Sequence, residues 1–275
     1  MFKQSLGVVG AGLLSVVWSG SAAAAATGFE VVAYNPGTET SLTNTDAALG
    51  TPDPIVGEGS GFENVLSPFS PAYESSQILR MQGDGAGVTI KLSNYAISTA
   101  GLELGVISNV GLIDADWPNG QATDPAATFG TPRSAEVQVS ENGVDFVSLG
   151  TQLFDNPANY FLDAASPYDS EPGSVVADFG KAFDGSLSDF SGLNYDQMLT
   201  LLDGSVGGTW LDISGSGLSQ VGYVRFNTVA DNGYDFVIDS LLVASDATGA
   251  AVPEPAAGVV LLSLLALRRR RSAIG

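Results

Sequence analysis

Along most of the chain apolar and polar residues alternate with a period of two, the pattern of a strand buried on one face. Phe29–Tyr34 alternates and stops at Asn35-Pro36-Gly37, a turn signal. In 87–92 the residues Val88, Ile90 and Leu92 share one face, and 101–107 continues in the same manner. In 134–140, Ala135, Val137 and Val139 point inward. Asn142-Gly143 then signals a hairpin, with 145–149 as the returning strand. Two more strands, 220–226 and 234–243, complete the set. Helical spacing is clearest in 194–202, where Tyr195, Met198, Leu199 and Leu202 line one side, so a short helix is predicted there. No repeat recurs at a fixed period, which argues against propellers and solenoids. The pattern predicts an all-β chain: a single β-sandwich of jelly-roll type with one short helix.

The two ends read differently. Lys3, an apolar run to Trp18 and the small residues Ser21–Ala26 have the order of a secretory signal. Ala24 and Ala26 fit its small-x-small cleavage site for a signal peptidase. At the other end, Pro253-Glu254-Pro255 is followed by 12 apolar residues, Ala256–Leu267, and by Arg268, Arg269, Arg270 and Arg271. A 12-residue helix covers about 18 Å, short of the ~30 Å hydrocarbon core. Such a segment suits a transient membrane hold, with the arginines stopping translocation. The expected organisation is a signal helix over 1–26, a β-sandwich over 27–250 and a tail with an apolar helix over 251–275.

Composition narrows the chemistry of the body. Residues 27–250 carry five basic and 29 acidic residues, a net charge of −24, a surface that repels nucleic acid and attracts divalent cations. The chain has no cysteine and no histidine. Disulfides, imidazole bases, Ser-His-Asp triads and zinc sites of the usual type are therefore excluded. Carboxylate-pair chemistry on polysaccharide remains open, as does a purely structural envelope role.

Three constellations are candidates for function. Asp114, Asp116 and Asn119 precede Gly120 with oxygens at alternating positions, as a Ca²⁺ loop needs; a plain polar surface loop is the alternative. Asp231, Asp235 and Asp239 form a second candidate calcium set. Asp235 and Asp239 lie on one strand face and Asp231 on the adjoining turn, the alternative being solvent-facing acids. The third is aromatic: Tyr73, Trp117, Tyr160, Phe161, Tyr168 and Trp210 fall in or near loops, where exposed rings could stack on sugars. Trp117, between Asp116 and Pro118, is the one expected to be exposed. Arg225, rare in so acidic a body, is expected to pair with an acid.

The tail, on Pro253-Glu254-Pro255, the apolar segment and the arginine cluster, resembles the PEP-CTERM sorting signal of Gram-negative bacteria. The resemblance implies processing by an exosortase and residence at the cell envelope, cell surface or extracellular matrix, in association with extracellular polysaccharide. The body is similar to the galactose-binding-like, discoidin-type jelly roll. The similarity rests on Ala48-Leu49-Gly50-Thr51-Pro52-Asp53, the 135–146 hairpin, Trp210–Ser214, 221–226 and Asp235–Asp239. It implies a non-catalytic module that binds glycans or mediates adhesion through loops at one end, often with a structural calcium.

Overall fold

The computed structural model describes residues 28–129 and 133–253. The signal segment with Ala24 and Ala26, and the tail with Glu254, Pro255 and Arg268–Arg271, lie outside the described residues. Pro253 is described and exposed.

The described chain is an all-β sandwich. Its strands are β1 (Glu30–Asn35), β2 (Ile55–Val56), β3 (Asn64–Val65), β4 (Leu79–Gln82), β5 (Gly87–Ile97), β6 (Leu104–Ile107), β7 (Gly111–Leu112) and β8 (Thr128–Phe129). They continue with β9 (Arg133–Ser140), β10 (Val147–Phe154), β11 (Thr209–Leu211), β12 (Gln220–Thr228), β13 (Asp235–Ile238), β14 (Ser240–Val243) and β15 (Thr248–Ala251). Helix α1 covers Tyr195–Leu202. One sheet runs β1-β5-β12-β9-β10, with β15 added along β5. Opposite it lie β11-β6-β14 and the antiparallel pair β13-β4.

The period-two pattern explains the main core. Val88, Ile90 and Leu92 of β5, Val137 and Val139 of β9, and Val224 and Phe226 of β12 face inward from the larger sheet. They meet Leu79, Met81, Leu104, Val106, Phe236, Ile238 and Leu241 from the other side. Phe154, Phe226 and Phe236 pack together, with centroid separations of 5.1–6.1 Å. Burying each such ring stabilises the fold by about 1.5–3 kcal/mol.

A second apolar cluster lies on the far side of the smaller sheets. There Ile78, Ile107, Val237, Leu242 and Trp210 meet Phe183, Phe190, Met198 and Leu202. The segment 155–208, mostly irregular, thus forms a third layer with α1 as its one regular helix.

The predicted strand 234–243 is two strands. β13 pairs with β4 and β14 with β6, and Asp239 sits at the switch between them. Phe236 and Ile238 enter the main core while Val237 enters the second. The alternation is therefore real, but both faces are apolar environments.

Candidate functional site

The loop 114–121 is closed by one carboxylate. Asp114 accepts through Oδ1 from the N–H groups of Asp116 and Gln121, both at 2.9 Å. Through Oδ2 it accepts from Gly120 N–H at 3.2 Å and from the Tyr168 hydroxyl at 3.0 Å. Burial, and then the bond to Asp114, push the Tyr168 hydroxyl well up from its ordinary value. The Asn119 amide donates to Asp116 Oδ2 at 3.2 Å. Asp114 is thus a loop closer, with its oxygens committed to the backbone and to Tyr168. Gly120 has φ +79°, and a Cβ there would lie 2.6 Å from Pro167 Cγ. Only glycine lets this loop press against 166–167.

Trp117 stands at the tip of the loop, 72% exposed. Its ring meets Tyr168 edge-on, with centroids 6.5 Å apart. An exposed indole fixed from behind by a second ring is a stacking platform.

Beside it opens a cleft of about 430 Å³, lined by Asp116, Asn119 and Gln121 from the loop and by Asn194, Tyr195 and Asp196 from the start of α1. Pro118, Gly120 and Pro167 also line it. The helix start is fixed by a capping box: Asn194 Oδ1 accepts from Gln197 N–H and Gln197 Oε1 from Asn194 N–H, both at 3.0 Å. This holds Asp196, exposed, in the first turn. Tyr195 is buried and donates to Asn159 Oδ1 at 3.0 Å. Its hydroxyl is pushed well up, first by burial and then by the charges of Asp196, Asp169 and Asp163. Among the described residues no basic side chain lines the cleft. The amides and the Ser166 hydroxyl can donate hydrogen bonds to a polyhydroxylated ligand, and the carboxylates can accept them.

The second candidate set does not converge. Asp235 is gripped by Arg80, whose Nε and Nη2 donate to its two oxygens at 2.8 Å each. Arg80 Nη1 also lies 3.3 Å from Glu39. Asp231 is exposed in a 3-10 turn. Asp239 is 2% exposed, and its Oδ2 has no hydrogen-bond partner. Burial pushes its carboxyl well above the usual range, and the charge of Asp53 adds to the shift. Among the described residues no three acids gather to hold a metal ion. Asp53 belongs to the 48–53 segment, which folds over this point: the Ser240 hydroxyl donates to the Gly50 carbonyl, and Gly50 has φ +98°. Asp239 thus offers one orphaned buried carboxylate oxygen, and the exposed Asp53 adds a second acidic charge at this point.

Of the other aromatic residues, Tyr73 is 48% exposed, whereas Phe161 and Trp210 are buried and Tyr160 and Tyr168 are half-buried. Arg225 departs from the expectation of an acidic partner. Its guanidinium carbon lies 3.6 Å from the centroid of Phe146, and it donates to Thr89 and Gln138. Stacking satisfies the cation where its strand neighbours are neutral.

The sequence pattern singled out Trp117, Asp116 and Asn119 but not Asp196, Gln121 or Asn194. The Asn194-x-x-Gln197 capping signature was the available signal for the second wall. Asp53 was visible only as part of the 48–53 segment.

No family model matches the chain, and no curated protein matches it. Among solved structures, a Family 89 glycoside hydrolase from Clostridium perfringens, in complex with 2-acetamido-1,2-dideoxynojirmycin, aligns over 84% of this chain with 9% identity and a TM-score of 0.30. The chain spans 15% of that enzyme's length.

Proposed function

We propose that this chain is an exported, non-catalytic glycan-binding or adhesion module of a Gram-negative cell surface or extracellular matrix. The observation that carries the reading is the cleft at Asp116, Asn119 and Asp196, together with the exposed Trp117 on the same loop, between the lining residues Asp116 and Pro118. Sugar recognition combines stacking on an aromatic face with amides and carboxylates that hydrogen-bond hydroxyls, and both are present there. Signal peptidase and an exosortase would process the two ends, the short apolar tail holding the chain at the membrane only until it is cut. The −24 body favours solubility outside the cell and makes nucleic acid an unsuitable partner.

The proposal includes a structural cation, Ca²⁺ by the chemistry of its donors, held by Asp239 and Asp53. A bound cation supplies the charge that the orphaned Asp239 Oδ2 lacks. It would pin the 48–53 segment over the switch between β13 and β14.

A glycan array run with and without calcium tests the reading. Saturable binding, abolished by Trp117→Ala at unchanged melting temperature, is the expected result. Silence across the array would leave a structural envelope role. Release of reducing sugar from extracellular polysaccharide would replace the binding module with a hydrolase acting through paired carboxylates.

A further inference from the structure

We infer that the cleft beside Trp117 selects sugars bearing free ammonium groups, so that its ligand is a polysaccharide with de-N-acetylated amino sugars. This rests on the glycan-binding reading and goes beyond it in naming the ligand class.

The cleft wall carries two carboxylates, Asp116 on one side and Asp196 on the other, and among the described residues no lysine or arginine. Asp116 accepts from Asn119 through Oδ2, which leaves Oδ1 for an incoming donor. Asp196 is exposed at the start of α1, its approach to the cleft fixed by the capping box. The field is reinforced from behind, since the charges of Asp163 and Asp169 also reach the Tyr195 hydroxyl. The basic side chains whose contacts are described are engaged elsewhere. Arg80 pairs with Glu39 and Asp235, Lys181 pairs with Asp203, and Arg225 stacks on Phe146.

An anionic sugar such as a uronate would enter this cleft against like charge with no cation to meet it, which is costly. A neutral sugar would use the indole, the amides and hydroxyl hydrogen bonds to the carboxylates, with no opposite charge to meet them. An aminosugar would add a charge-assisted hydrogen bond at each carboxylate. Trp117 would take the apolar sugar face, and its indole would also attract an ammonium group.

The test is calorimetric titration of the purified full chain with three short probes: a glucosamine tetramer, its fully N-acetylated counterpart and a tetra-uronate. We expect the free-amine tetramer to bind about five- to tenfold more tightly than the acetylated one, the size of two solvent-exposed ion pairs. The uronate should show no binding. Asp116→Asn with Asp196→Asn should erase the preference, the two tetramers then binding the variant with equal affinity. Because the whole body is acidic, Glu58→Gln with Asp84→Asn, two exposed acids elsewhere, serves as a charge-matched control and should leave the preference intact. Equal affinity for the two tetramers, or a preference lost equally in the control, overturns the inference and leaves glycan binding standing. Binding of none of the probes, together with a silent glycan array, overturns both.

Discussion

Replacing Asp239 by Asn isolates what a buried, unpartnered carboxylate does to this fold. Asp239 is 2% exposed, and burial raises its carboxyl well above the ordinary 3.8, so the native state holds its proton more tightly than the unfolded chain does. Between those two values the native state binds more protons, and stability therefore falls as pH rises. Without a cation the loss is about 1.4 kcal/mol per pH unit across that window. For a body of this size that corresponds to a melting temperature lower by about 3–5 °C per unit. A cation bound at Asp239 and Asp53 favours the charged form and removes the fall. At a hundredfold excess over its dissociation constant it adds about 2.7 kcal/mol. The assay is scanning calorimetry from pH 4 to 8, with EDTA and with millimolar calcium, on protein shown by elemental analysis to be metal-free at the start. The wild type should lose stability with rising pH in EDTA and recover it in calcium. Asp239→Asn should lack this fall above about pH 5, where Glu39 is fully ionised, and be insensitive to calcium. An equal pH slope in the variant would refute the assignment of the titration to Asp239. No calcium effect on verified metal-free wild type would refute the cation site.

Three further outcomes follow from named contacts. Asp235→Ala should cost about 2 kcal/mol by urea titration, between the values for exposed and buried ion pairs, because Asp235 is only 13% exposed and takes both arms of Arg80; Asp235→Asn should cost less. Glu39 is held at about 2 by the N–H and hydroxyl of Ser41 and then by Leu42 and Thr40. Its stabilisation is present above the ordinary carboxylate value and is lost as pH falls toward 2, so Glu39→Gln should flatten the acid limb of an unfolding curve below about pH 4.5. Gly120→Ala should weaken glycan binding more than it lowers the melting temperature, because the strained φ and the clash with Pro167 fall on the cleft; equal stability loss with unchanged affinity would separate the cleft from the ligand.

The strands of the larger sheet were legible because one face of each is polar. Val88, Ile90 and Leu92 alternate with the polar Thr89 and Lys91, themselves buried, and this chemical asymmetry is what a period-two reading detects. Helix α1 was legible for a similar reason, its apolar side meeting the second core at Met198 and Leu202. The stretch 234–243 carried the same alternation, and there it misled. Its acids were read as facing solvent or one shared ion, on the premise that the face opposite Phe236 and Ile238 is wet. A third layer, 155–208, covers that face, and its irregular backbone has no periodicity by which a sequence could announce it. Once that layer is in place, Val237 is interior; Asp239, at the strand switch, is closed off where the 48–53 segment folds over it, while Asp235 finds Arg80. Two acids four residues apart on one strand face thus meet opposite fates. The difference is set by the 48–53 segment, which folds over the Asp239 end from some 190 residues earlier in the chain. The third layer builds one wall of the cleft: α1 supplies Asn194 and Asp196, and the loop 114–121 supplies the other wall. Burying Val237 and forming the cleft are therefore two consequences of one packing event. A variant that loosens the third layer without touching the cleft lining, such as Met198→Ala in the second core, should weaken glycan binding in the calorimetric titration.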